Sequence, residues 1–84
     1  MNIFKNPFHR EKQTYLDLYK LGYNYQHGIG IKKNVNKAFI YYQKSAELGN
    51  ADGLFNLGYC YQHGFGVKKN EKKARIILFG FGWI

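Results

Sequence analysis

The sequence predicts an all-α protein, a solenoid of antiparallel helix-turn-helix repeats, and three observations carry that prediction. A fourteen-residue phrase is written twice, as LGYNYQHGIGIKKN at 21–34 and LGYCYQHGFGVKKN at 57–70, which sets a 36-residue period. Extended to 21–38 against 57–74, the copies agree at 13 of 18 positions without a gap. Within each copy the apolar and small residues fall at helical spacing, Leu18, Leu21, Gly22 and Tyr25 in the first and Leu54, Leu57, Gly58 and Tyr61 in the second. Periods of about 20 to 50 residues mark folds in which one supersecondary unit cannot cover its own apolar face and stacks on a neighbour to do so.

Each element can be justified in order. Residues 1–13 match no helix of the repeat and are expected to be a disordered or partly helical N-terminal segment. The first repeat, 14–49, opens with Thr14 followed by Asp17, a capping-box pattern for its first helix. Gly22, like Gly58 after it, would cost about 1 kcal/mol relative to Ala in a helix interior, so its place on the apolar stripe implies close approach of a second helix. Gly28 and Gly64 suit the left-handed C-terminal cap, and Gly30 and Gly66 keep the following turn tight. Asn34 and Asn70 suit the N-cap of the next helix. In the first copy that helix carries Ala38, Tyr41, Tyr42, Ser45 and Ala46 on one side, with Gly49 ending it and Asn50 capping the helix after it. The second repeat, 50–84, becomes atypical after Ala74, where RIILFGFGWI puts Phe81 and Gly82 at crossing positions and leaves the last helix in doubt.

These residues resemble the Sel-1-like repeat family, whose pattern runs Leu-Gly, two residues, Tyr, two residues, Gly-x-Gly-Val, then Asp, Lys-Ala and Trp-Tyr. Leu21, Gly22, Tyr25, Gly28, Gly30, Lys37, Ala38, Tyr42, Ala46 and Gly49 fall on the pattern, with Ile31 for Val, Asn34 for Asp, Tyr41 for Trp and Ser45 for Ala. The second copy follows it from Leu57 to Ala74. The resemblance implies a right-handed, tetratricopeptide-like α-solenoid that acts as an adaptor by presenting a groove to other proteins. Two repeats where stable solenoids generally need three or more point to part of a longer array, or to something else covering the ends.

Composition narrows the function. Aromatics are 19% of the residues, with eight Tyr and seven Phe, so burial is intended. A net charge of +8 suits an acidic protein surface, a nucleic acid or an anionic membrane equally well. Cys60 is the lone cysteine, which excludes an intramolecular disulfide and a multi-cysteine zinc site. Without a signal-peptide-like start or a run long enough to span a bilayer, the expected localisation is cytoplasmic.

Catalysis has little to draw on: one Ser (Ser45), one Thr, one Cys and no paired carboxylates, so the expectation is a protein that is not an enzyme and carries no catalytic, metal or cofactor site. One branch of the family, secreted and described as β-lactamases, carries a cysteine pair in every repeat, unlike this chain. His27 and His63 recur without further ligands nearby and are read as favourable charges and donors at helix C-termini. The GIG and GFG runs follow a helix rather than precede one, unlike phosphate-binding loops.

The partner-binding candidates are therefore Tyr23 and Tyr59, about 200° around the helix from Tyr25 and Tyr61, together with Tyr19 and Phe55 at the same 36-residue offset, either of which suits core or groove. Lys32, Lys33, Lys68 and Lys69 recur with the period and are expected to align along one edge, with Lys37, Lys72 and Lys73 close by. The expected function is a protein-binding adaptor or scaffold module, with an acidic protein or further repeats as partner. A basic nucleic-acid-binding module is the alternative.

Overall fold

The computed structural model describes the backbone of residues 7–80 and the side chains of residues 15–80. Four helices follow one another, α1 (Pro7–His27), α2 (Val35–Glu47), α3 (Ala51–His63) and α4 (Glu71–Phe79), and there is no strand among the described residues. Each packs chiefly on the next in sequence, α1 on α2, α2 on α3 and α3 on α4. The architecture is an all-α, solenoid-like stack.

The helix ends are set by the repeated residues. The Oδ1 atoms of Asn34, Asn50 and Asn70 accept from the backbone N–H three residues on, at Lys37 (3.0 Å), Gly53 (2.7 Å) and Lys73 (2.9 Å). Gly64 closes α3 at φ 74°, ψ 36°, and its N–H donates to the Cys60 carbonyl. Gly28 takes φ 68° at the matching place after α1. The loops are then stitched back to the helix they leave, since Asn34 N–H donates to the Tyr25 carbonyl and Asn70 N–H to the Tyr61 carbonyl, both at 2.8 Å.

Two elements differ from the sequence expectation. Thr14 is not a cap, because α1 runs back without a break to Pro7, whose missing N–H costs nothing in a first helical turn. The final helix does form, over nine residues, and Gly80 stops it at φ 74° with its N–H on the Ile76 carbonyl. Phe81 and Gly82, the residues that put this helix in doubt, lie outside the described residues.

The core is small and built on close approaches. It comprises Ala38, Tyr42, Leu57 and Cys60, with Tyr19, Tyr25, Phe39 and Tyr61 among the partly buried side chains against it. A methyl group on Gly22 would lie 2.8 Å from the Tyr42 ring, and one on Gly58 would lie 2.6 Å from Leu78, so both stripe glycines seat a side chain of the following helix. Of the other repeat positions, Ala74 is buried and Leu21 half-buried. The seam between repeats uses a third such glycine, Gly53, whose added methyl would meet Ser45 Oγ at 2.6 Å and the Ala46 backbone nitrogen at 3.0 Å. Ser45 stands where three helices meet, because its hydroxyl also donates to the Tyr15 carbonyl of α1 at 2.9 Å. The loop at Gly66 closes the seam against the Val35 carbonyl and Phe39, and Phe39 meets Tyr61 edge-on at 5.5 Å. The equivalent Gly30 has open space beside it. Thirty-six residues beyond Val35 and Phe39, α4 carries Glu71 and Arg75, both exposed.

Gly22→Ala is expected to destabilise the fold by about 1–3 kcal/mol even though Ala is the better helix former, because the fully buried Tyr42 ring cannot yield. Gly58→Ala should cost less, since Leu78, whose Cδ2 (2.6 Å) and Cγ (2.7 Å) stand in the way, is half-buried and can shift as a whole side chain. Urea unfolding followed by circular dichroism ranks the two, and equal costs would contradict this account of the crossings.

Candidate protein-binding surface

Rings at every fourth position form a repeated stripe on α1 and α3. Tyr19, Tyr23 and His27 are spaced four apart on α1, and Phe55, Tyr59 and His63 repeat that spacing on α3. Tyr23 stacks at 4.4 Å on His27, and Tyr59 at 4.3 Å on His63, both tilted by just over 50°. Phe65 extends the second stripe, 5.9 Å from Tyr59 and 5.5 Å from His63. Tyr23, Phe55 and Tyr59 are exposed, Phe55 most of all at 61%. Tyr19 is different, since it leans inward and its ring lies 6.0 Å from Tyr42. Burial, then the nearby Asp52 carboxylate, push the Tyr19 hydroxyl up, and Asn56 hydrogen-bonds it in the opposing sense.

His27 and His63 thus belong to the aromatic stripe as well as to the last helical turns. The signal for that role was present as an aromatic, Tyr, His series at every fourth residue. Phe65 had no such signal, because it reaches the stripe through the left-handed turn at Gly64 rather than along a helix.

Where the two repeats meet, a recess of about 270 Å³ opens between the end of α1, the start of α2 and the end of α3. Gln26, His27, Lys33, Val35, Tyr59 and Phe65 line it. The Tyr42 hydroxyl donates to Gln26 Oε1 at 2.5 Å, so the donors that remain on Gln26 are its amide N–H groups. Burial, then Cys60 and the Tyr19 and Tyr23 hydroxyls, push the Tyr42 hydroxyl well above its ordinary range, which keeps it a donor.

The lysines divide into two sets. Lys37 lies over the Tyr25 ring at 5.5 Å and Lys73 over the Tyr61 ring at 5.0 Å, a repeated cation–π contact on the flank where Tyr25 also stacks flat on Tyr41. Lys32, Lys33, Lys68 and Lys69 are exposed on the inter-helix loops. Lys69 pairs with Glu71 at 3.4 Å, whereas the residue matching Glu71 beside Lys33 is Val35.

The reactive groups are turned inward. Ser45 is buried with its hydroxyl committed to Tyr15, and Cys60 is buried with its thiol pushed up to about 11 by desolvation. No group of three or more His, Cys, Asp or Glu gathers to hold a metal among the described residues. No described helix is long and apolar enough to cross a membrane.

Two blocks of the chain, 17–50 and 51–78, match the model of the Sel1 repeat. The chain belongs to the Sel1 repeat family. Among solved structures it is similar to a Sel1 repeat protein from Oxalobacter formigenes, with 33% identity and a TM-score of 0.75 over 90% of this chain. The match spans 30% of that protein, so the chain covers under a third of its length. No curated protein matches the chain. Sel1 repeats generally serve as protein–protein interaction scaffolds. In this Sel1 protein the shared pattern sets the crossings at Gly22, Gly58 and Ala38, whereas the stripe and the recess use residues outside that pattern.

Because the Cys60 thiol is raised from 9.0 to about 11, its neutral form is favoured in the fold, and the stability it contributes is lost as pH rises through that window. Thermal melts between pH 8 and pH 11 should show Tm falling above about pH 9, and Cys60→Ala should remove the part of that fall that begins near pH 9, leaving the part above pH 10.0 to which Tyr42 contributes. Native Cys60 should resist iodoacetamide at pH 8 and react readily in urea.

Proposed function

We propose that this Sel1 protein is a non-enzymatic adaptor or scaffold module, part of a longer array, that binds another protein along the Tyr19, Tyr23, His27 and Phe55, Tyr59, His63 stripes. The observation that carries the reading is the exposure of Tyr23, Phe55 and Tyr59 on helices whose other faces contribute to the core. Tyrosine on a fixed backbone presents a large contact area at low entropic cost, which is why such residues dominate binding hot spots. The loop lysines steer a negatively charged partner toward the groove. The proposed compartment is the cytoplasm, where a free thiol such as Cys60 stays reduced.

Selection of binding peptides against the immobilised chain, followed by titration of the selected peptide, tests this. Tyr59→Ala should weaken binding by about tenfold or more while leaving the far-UV spectrum and Tm unchanged. Binding of a single-stranded oligonucleotide that survives Tyr23→Ala and Tyr59→Ala but collapses with salt, and with charge reversal at Lys32, Lys33, Lys68 and Lys69, with no peptide selected, would instead indicate a nucleic-acid ligand.

A further inference from the structure

The groove has an electrostatic direction. At one end, Asp52 in the first turn of α3 stands near Tyr19 and Asn56 and places a carboxylate beside the stripe. At the other, Lys33, His27 and Gln26 line the recess between the repeats, and no Asp or Glu does. Its remaining walls are Val35, Tyr59 and Phe65, which offer apolar and ring surface. A group seated there meets donors on one side and rings on the other.

The two repeats treat their matching lysines differently. Lys33 and Lys69 occupy the same position, each with its Cβ 3.4 Å from where a methyl on the cap glycine, Gly28 or Gly64, would lie. Glu71 answers Lys69, and at the same place in the first repeat Val35 turns the wall beside Lys33 apolar. Lys37 and Lys73 lie over tyrosine rings on another flank, and neither lines the recess. Among the lysines, Lys33 alone lines the recess, beside the rings of Tyr59 and Phe65.

From this juxtaposition we infer that the inter-repeat recess receives an acidic, unfolded segment of a partner protein, with a Glu or Asp carboxylate at Lys33 and Gln26 and a neighbouring aromatic or large aliphatic side chain against Tyr59, Phe65 and Val35. This rests on the protein-binding reading of the stripe and adds the chemistry and the direction of the bound chain. The acidic residue lies at the His27 end, because Asp52 at the Tyr19 end repels a second carboxylate. The volume admits one such pair of side chains, so the recess acts as an anchor and the stripe guides the rest of the segment.

The test uses the whole chain and two short unstructured peptides, one carrying a single Phe among Glu residues and the other identical with Gln for Glu. Titration followed by backbone and side-chain NMR shifts should show the acidic peptide binding with the largest changes at Gln26, His27, Lys33, Tyr59 and Phe65. The Gln peptide should bind about tenfold more weakly, and Lys33→Glu should bring the acidic peptide down to that level. Lys68→Glu, on an exposed loop lysine outside the recess, should change affinity by no more than about twofold. Raised ionic strength should weaken the acidic peptide alone. Equal affinity of the two peptides, with shifts along Tyr23, Phe55 and Tyr59, would overturn the acidic anchor and leave the protein-binding stripe standing. Failure of both peptides to perturb either the recess or the stripe would overturn both. Tighter binding of an oligothymidylate than of the acidic peptide, lost equally with Lys33→Glu and Lys68→Glu, would overturn the inference in favour of nucleic acid.

Discussion

The structure depends on the seating of Tyr42 against Gly22. In a fold with only a handful of fully buried side chains, one large ring is enclosed on every side and supplies much of the first repeat's core. Enclosure would be unfavourable for the hydroxyl alone, since an unpartnered buried O–H costs about 1–3 kcal/mol. Gln26 removes that cost by accepting from it, and the bond ties the middle of α2 to the last turns of α1. The same bond leaves the amide N–H groups as the remaining donors of Gln26, a residue that also lines the recess.

Much of the fold was legible because it rests on residues whose local chemistry is unambiguous. Asn34, Asn50 and Asn70 cap as expected, and the positive φ of Gly28, Gly30, Gly64 and Gly66 follows from the turns they make. The start of α1 was misread because Thr14 and Asp17 form a plausible cap pattern while a helix extending to Pro7 has no periodic partner in the second repeat. Gly53 escaped notice for a related reason: its counterpart in the first repeat is Asp17, so comparing the copies concealed a glycine that one seam alone requires.

The surface was legible to a lesser degree. Helical geometry sufficed to place Tyr23 and Tyr59 off the packing stripe, but could not tell that Tyr19, on the same face, would lean onto Tyr42. Nor could it tell that Lys37 and Lys73 lie over tyrosine rings and that Lys69 pairs with Glu71. Those contacts depend on how one repeat rests on the next, and a stretch of sequence read one repeat at a time does not contain that information.

The exposed Glu71 and Arg75 of α4 carry a consequence for modularity. Their counterparts Val35 and Phe39 form the apolar wall against which the second repeat rests. A chain with its two copies exchanged in order would bring a carboxylate and a guanidinium to that wall, where each would lose hydration without an assured partner. The copies share a phrase but are not interchangeable parts. Each is specialised on one side for the neighbour it has, so duplication supplied the helices of this protein, and the divergence of a few facing residues fixed their sequence along the stack.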